Sequence, residues 1–517
     1  MTLTLSILPM LLVLVLMAGF RMSAEKAGLF GYLACLIVGT TFFGVNLPIL
    51  YYGHLRGAWF ALDVLLIIWA SYLFYLVLEE AEIVTILETK LPLIAPDQGM
   101  QALTLGWIFA SFLQGIGGFG VPVAVIAPML IKLGFTPLQA VLIPSVGHGW
   151  GVTFGSLGSS FRALLAMSGH PIYPLNVSAA FLLFFSCLLG GGICLILVGG
   201  LRELFRYLGW VISGGIVMGG GMFLSVWFGV WNLGTFLGAI AGFVWFLVSA
   251  RFAYGHLRID RETLRELGIA FSGFGVLTGV ILAANFVPCL RALLHQAELS
   301  LIIPTLRTAP ARLSGITHTV TGAQIGPIAI FGHPGMVLFY GIFLVAAWFW
   351  SLGRLKRDSV WRITRKLIGG VKSTTVGVWA MVTLSVLMEM SGMTDAVARG
   401  LGEVFSGIYP VVSLGIGAIG AFLSGSNTNS NVLFAPLQMQ IARLLGYPTA
   451  VILAAQTAAA SIASTLAPAK IIVGTSTTGL KGQEGLVLRK LIPLVSLQLL
   501  MLAALVYFLL WIERVWQ

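Results

Sequence analysis

Apolar residues follow one another for about twenty positions at a time along most of this chain, and short Lys/Arg clusters separate the runs. The runs do not alternate in ten-residue units, which disfavours a membrane β-barrel, and each is long enough for one helical bilayer crossing. On that pattern, spans are predicted at about 4–20, 27–47, 58–78, 136–160, 174–200, 208–228, 234–250, 268–289, 336–352, 373–392, 448–478 and 491–511. Two further apolar stretches, near 101–131 and 411–442, are interrupted at their centres by Gly and polar residues. Each is expected to be a re-entrant hairpin that enters and leaves on one side. The stretch from about 300 to 334, rich in Pro, Thr and Gly, has no helical period and is expected to be an external connection.

Composition agrees with the pattern. The 517 residues are 58% hydrophobic and 9% charged, with a mean hydropathy of +0.99, against about 45–50% apolar and about 25% charged in a soluble domain. A soluble enzyme, a disordered chain and a secreted disulfide scaffold are excluded. The net charge of +11 does not signal nucleic acid, because the cations sit between apolar runs as topology determinants do. In the predicted topology 20 of the 29 Lys and Arg fall on one side, including the cluster from Arg354 to Lys372. That side is expected to be cytoplasmic, with both termini outside the cytoplasm. The run Met1–Phe20 lacks a basic start and reads as a retained first span. Cys35, Cys187, Cys194 and Cys289 have no metal-ligand spacing and read as packing residues.

The chain also resembles itself. Phe112-Leu113-Gln114-Gly115 recurs as Phe422-Leu423-Ser424-Gly425, an offset of 422 − 112 = 310, and the same offset pairs Glu79 with Glu389 and Ala140-Val141 with Ala450-Val451. Each copy has a span ending in Glu, an amphipathic arm, an interrupted hairpin and a broken helix. Six predicted spans separate the first broken helix from the second hairpin, so the two copies are inverted. The expected fold is an all-α polytopic membrane protein, with about 12 transmembrane helices plus two re-entrant hairpins in inverted repeats. Its parts are N-terminal scaffold spans (1–70), a first repeat (71–200), central scaffold spans and loops (201–370) and a second repeat (371–517). Corresponding interrupted helices in inverted halves point to a secondary transporter with its site near the midplane.

The interruptions carry the candidate chemistry. The first contains Gln114, Gly115, Gly117, Gly118, Gly120 and Pro122. Glycines inside a helix cost about 1 kcal/mol each relative to Ala, so this cluster predicts unwinding, with free N–H groups and a helix N-terminus for a carboxylate. Close helix packing through small residues is the structural alternative. The second packs seven hydrogen-bonding side chains around Gly425: Ser424, Ser426, Asn427, Thr428, Asn429, Ser430 and Asn431. Left unpaired in hydrocarbon each would cost a few kcal/mol, so they are expected to serve an anion, Na+ or water, or else to bond between helices. Lys470, after Pro468 in a broken helix, either attracts a carboxylate or snorkels to the interface. His148, between Gly147 and Gly149, is a candidate for ion coupling or a structural histidine. Glu79 and Glu389 read as span-end anchors, and Asp63 as undecided.

Gly115 to Ala124, the run Gly425 to Asn431 and the segment Leu466 to Lys470 resemble the L-lactate permease family. The resemblance implies uptake of L-lactate, D-lactate and glycolate across the bacterial plasma membrane, coupled to protons. It also implies a transport domain sliding against a fixed scaffold, as in the wider ion-transporter superfamily. There, Ser-Asn-Thr motifs at hairpin tips bind carboxylate and Na+, and Ser426-Asn427-Thr428 matches them. Two residues depart from the family pattern: acids commonly stand where this chain has Gln114 and Asn427. The proton must then use another group such as His148, or the coupling ion is Na+, or the cargo is a sulfonate or larger hydroxy acid.

The expected function is therefore symport of a small organic anion, most plainly lactate, with H+ or Na+ and no other cofactor or metal beyond Na+ at Ser426, Asn427 and Thr428. The lipid bilayer is the expected partner, nucleic acid is not, and a homodimer is compatible with the sequence. An anion channel would need a continuous polar pore instead of two isolated polar foci. An intramembrane enzyme would need a nucleophile–base pair or metal-ligand spacing, and neither is present.

Overall fold

Apolar runs bounded by Lys/Arg clusters become long helices because hydrocarbon offers the backbone no partner but itself. The computed structural model describes residues 2–20, 22–90, 95, 97–118, 120–254, 261–312 and 315–516; Arg21 and Arg258, expected on the cytoplasmic side, lie outside them, as does Phe119. Ten helices among the described residues are long and apolar enough to cross a bilayer, against twelve expected spans. Three expected spans are missing from those ten. Thr2–Met17 is short, Ala24–Phe42 opens with Glu25 and Lys26, and the expected span 136–160 breaks after Gly149. Met393–Ser424 counts in addition.

Two helices of 34 residues each, Leu47–Glu80 and Arg357–Met390, pack side by side along much of their length. Asn46 caps the first by accepting from the Ile49 N–H at 3.2 Å. Glycine permits the close approach: a Cβ built on Gly57 would lie 2.7 Å from Thr383 Oγ1. The helices are displaced by 357 − 47 = 310 positions. Ala24–Phe42 and Pro334–Ser351 start 310 apart, and so do Ile83–Lys90 and Met393–Phe405. Ser159–Ser168 and Pro468–Thr478 end 310 apart, as do Ile172–Arg206 and Glu484–Trp516.

Polar contacts sort the helix ends into two groups. At one end Lys366 meets Glu79 (3.1 Å), Arg362 meets Glu80 (2.6 Å) and Tyr207 Oη donates to Asp97 (2.6 Å). At the other Arg56 meets Glu389 (3.1 Å) and His170 Nε2 lies 3.1 Å from Thr449 Oγ1. The first interrupted stretch folds back on itself: a helix through Gln98–Gln101, Ala102–Phe109 and Ala110–Ile116 ends at Gly117, and Val121–Lys132 starts after Gly120. Gln98 Nε2 donates to Gly134 O (3.4 Å) where the pair opens, at the Glu79 end. The second pair, Tyr409–Ser424 and Asn427–Leu445, opens at the Glu389 end, where Tyr447 Oη donates to Ser406 O (3.1 Å).

The middle of the first arm, Ala102–Phe109, is a π-helix. It lies beside a crossing with Pro137–Gly149, where a Cβ built on Gly147 would sit 1.9 Å from Gly106 O. Phe112 is wedged among Phe236, Phe243, Phe271 and Phe274, its centroid 4.7 Å from that of Phe274. Gly147→Ala is expected to destabilise the protein by about 1–3 kcal/mol through overpacking, read as a lower thermal midpoint in detergent; an unchanged midpoint would show that the crossing yields.

The segment expected to be an irregular connection contains strands, so the fold is not purely helical. Glu298–Ile303 pairs antiparallel with Ala323–Ala329, and Leu306–Arg307 with Thr319–Val320. Leu, Ile, Thr and Val supply the β-branched and aliphatic side chains that favour extended backbone. This arm is tied to the end of Ala24–Phe42 and the turn after it through Ala309 N to Gly44 O (2.8 Å) and Arg312 N to Phe42 O (3.0 Å).

Candidate functional site

Four helices begin at interruptions, and their N-terminal ends meet. Gly120, at φ +88°, starts Val121–Lys132, and Gly425, at φ +70°, precedes Asn427–Leu445; L side chains avoid both conformations, so glycine is needed to make these turns. A Cβ built on Gly120 would lie 3.9 Å from Lys470 Cγ, and one on Gly425 would lie 3.8 Å from Ala467 Cβ, which joins both tips to the start of Pro468–Thr478. The fourth, Ser159–Ser168, joins through Ser160 Oγ, 3.0 Å from Thr428 Oγ1. Helix N-termini carry partial positive charge. Lys470, 8% exposed, adds a full one and donates from Nζ to Ser464 Oγ at 3.0 Å.

A cavity of about 270 Å³ opens beside this convergence. Ser424, Gly425, Ser426, Thr428, Asn429 and Lys470 line it from the second hairpin and the broken helix. Its opposite wall is Glu25, Ile68, Ser373, Thr374 and Gly377, on helices of the long packed pair and on Ala24–Phe42. Lys470 is the only cation among the lining residues and Glu25 the only carboxylate.

Asn427 and Asn431 stand behind the cavity wall, both buried. Asn427 Nδ2 donates to Thr153 Oγ1 (3.0 Å) and Thr457 Oγ1 (3.4 Å), while Asn431 Nδ2 donates to Ser160 O and Thr457 Oγ1, both at 2.9 Å. The two broken helices touch at this depth. Thr153 N donates to Ser461 Oγ (3.1 Å), and Ser461 Oγ donates to Gly149 O (2.8 Å). These contacts join positions separated by 461 − 153 = 308 and 461 − 149 = 312, close to the 310 that relates the matched helices. Ser430 turns inward, donating to Gly417 O (2.9 Å) and accepting from Gln456 Nε2 (3.0 Å).

The residues of the first hairpin are placed differently. Gly115 faces Phe236, whose Cα would lie 2.8 Å from a built Cβ, so packing alone requires glycine there. Gly118, at φ +53°, is pressed against Ser156, and Gly117 lies by Tyr75. Gln114 is buried against Gly155, its Oε1 without a hydrogen-bond partner. None of the four lines the 270 Å³ cavity. His148 is fully buried, with Nδ1 2.5 Å from Pro144 O and Nε2 unpartnered. Thr153, Ser160 and Thr457 were not singled out in the sequence. The signal for Thr153 was its place just after the Gly-rich run 147–151; Thr457 lies in a run of alanines and offered none.

A buried lysine, converging helix N-termini and hydroxyl and amide donors thus surround one side of the cavity, with Glu25 on the other. Comparison with known proteins agrees with a membrane carrier. The L-lactate permease of Streptococcus iniae is 26% identical over 447 residues, which cover 85% of this chain and 91% of that protein. The L-lactate permease of Halalkalibacterium halodurans is 24% identical over 504 residues, 92% of this chain and 91% of the relative. Among solved structures, MtrF of Neisseria gonorrhoeae, presented as illuminating a class of antimetabolite efflux pumps, aligns over 85% of this chain and 80% of its own at 14% identity, with a TM-score of 0.44. The L-lactate permease family description matches residues 2–512. With nearly the whole chain inside that match, this multi-pass membrane protein belongs to the L-lactate permease family.

Proposed function

We propose that this protein is a secondary active transporter of small organic anions, with L-lactate, D-lactate and glycolate as its cargo, driven by symport of H+ or Na+. The observation that carries the reading is the meeting of four helix N-termini and buried Lys470 at a cavity of about 270 Å³. At about 30 Å³ per water, that volume accommodates a few-atom carboxylate with part of its hydration. Ser426, Thr428 and Asn429 supply donors, and the oxygens of Ser426, Asn427 and Thr428 are the natural Na+ ligands should Na+ be the coupling ion.

The helix pairs are read as re-entrant hairpins in inverted repeats. Support comes from the 310-position offset of helix bounds, from the opposite ends at which the two pairs open, and from the Thr153–Ser461 contact. Residues on a two-fold axis touch their own counterparts, and that contact joins positions close to one repeat apart. The hairpins with their broken helices form the moving unit, and the long packed pair with its flanking helices forms the fixed one. The Glu79 end carries the excess of Lys and Arg and faces the cytoplasm of the bacterial cell.

The test is uptake of labelled L-lactate into proteoliposomes with a pH gradient or a Na+ gradient imposed alone. Saturable uptake that exceeds the outside concentration under one of these gradients is expected; flux linear in concentration that only equilibrates would overturn symport. On the family resemblance, which implies acids at the positions of Gln114 and Asn427, Gln114→Glu with Asn427→Asp is expected to increase uptake driven by the pH gradient. No change would remove those positions from the coupling path.

A further inference from the structure

At the end opposite the cavity, two buried side chains and a half-buried arginine close the boundary between the two units. Arg162 donates to both carboxylate oxygens of Asp63, from Nε at 2.8 Å and Nη2 at 2.5 Å. His333 Nδ1 accepts from the Gly335 N–H (3.1 Å), which leaves Nε2 to carry the proton and donate to Asp63 Oδ1 at 2.7 Å. The Asp63 and His333 side chains are 5% and 1% exposed. Asp63 lies on Leu47–Glu80 and His333 caps Pro334–Ser351, both in the fixed unit. Arg162 lies on Ser159–Ser168, which is bonded to the second hairpin through Ser160.

The 310-position offset says what stands at the corresponding place on the other end. Asp63 corresponds to Ser373, Arg162 to Ile472 and His333 to Ser23. No ion pair forms among those three residue types, and Ser373 Oγ instead donates to Glu25 (2.5 Å). The 270 Å³ cavity lies there, walled by Glu25, Ser373 and Val473. One end is therefore pinned by an ion pair, and the cavities beside it stop short of the hairpin tips, whereas at its counterpart the cavity reaches the second tip and Lys470. Applied in reverse, the offset places Gln114 where Ser424 lines the cavity and Ala163 where Val473 does.

We propose that Asp63, Arg162 and His333 form a latch that holds the outer end shut while the inner cavity is open, and that releasing it opens an outer cavity with Gln114 and Ala163 in its wall. The inference rests on the transporter reading for the identity of the moving unit. It also accounts for Gln114: its Oε1, buried without a partner in this arrangement, gains water or cargo when that end opens. Arg162 borders two outer cavities, of about 450 and 420 Å³, so the guanidinium has room to swing clear of Asp63.

The test uses thiol labelling and needs no substrate. In a Cys289→Ser background, where the other three cysteines are buried, Ala163→Cys and Val473→Cys are made in separate proteins. A membrane-impermeant maleimide is then applied to each face of oriented vesicles. With the latch intact, Cys at 473 reacts from the inner face and Cys at 163 reacts slowly from the outer. Arg162→Gln is expected to raise the outer rate at 163 on the order of ten-fold and to lower the inner rate at 473, and Arg162→Lys to return both toward the starting values. Asp63→Asn, of the same shape, is the second variant should Arg162→Gln fold poorly, and the same exchange of rates is expected. Rates that stay put in a monodisperse variant would overturn the latch, as would rates that rise together on both faces. Vesicles that exchange the two rates but never accumulate lactate would refute the cargo and keep the latch; accumulation with unmoved labelling would do the opposite.

Discussion

Lys470→Met is expected to lower uptake of L-lactate at sub-saturating concentration by about 10- to 100-fold, the loss of one charge-assisted hydrogen bond to a carboxylate. The lysine is buried, donates a hydrogen bond to Ser464, and stands at the joint of both hairpin tips. Methionine keeps most of the side-chain volume, so the neighbouring helix ends stay in place while the charge disappears. The measurement is initial uptake rate against lactate concentration, with the thermal midpoint as the check on folding. A half-saturation concentration near wild type would mean that Lys470 only satisfies Ser464 and that the helix ends alone hold the anion.

Asn427→Ala is expected to abolish accumulation while leaving a folded protein, destabilised by about 1–3 kcal/mol. Its amide bonds Thr153 from one broken helix and Thr457 from the other, so it fixes the hairpin tip to both at once. Without it Thr153 and Thr457 keep each other, 3.2 Å apart, and the interior stays largely paired. The tip bearing Ser426 and Thr428 loses its anchor, and positional errors of about 1 Å are enough to weaken directional binding. Near-normal affinity in the alanine variant would show that Asn427 is interhelical glue. Asn427→Asp tests charge separately from geometry, because the carboxylate keeps the shape but exchanges two donors for acceptors.

Much of the architecture was legible because its signals are local. Twenty apolar residues in a row leave a helix as the only economical fold for the backbone in hydrocarbon, and the breaks fall where Gly118, Gly120 and Gly425 take positive φ at helix ends, although Gly190-Gly191-Gly192 runs through the helix Ile172–Arg206 unbroken. The long-range identities at an offset of 310 survive as matched helix bounds. What was not legible depends on partners distant in sequence. Nothing near Gly115 announces that Phe236 will press against it. Nothing near Asp63 announces Arg162 and His333, which lie 99 and 270 residues away. The strands at Glu298–Ile303 and Ala323–Ala329 were hidden for another reason: each is short, partly solvent-facing and set among Pro, Thr and Gly, so neither a two-residue nor a helical period builds up.

The lysine at position 470 has Ser160 as its counterpart 310 residues earlier, so the two halves of the pocket are chemically unequal although the helices around them match. Glu25, the one carboxylate among the lining residues, stands on the facing wall and accepts from Ser373, so a charged molecule that enters would meet one ammonium and one carboxylate, and replacing either is expected to change which charge the low-dielectric enclosure tolerates.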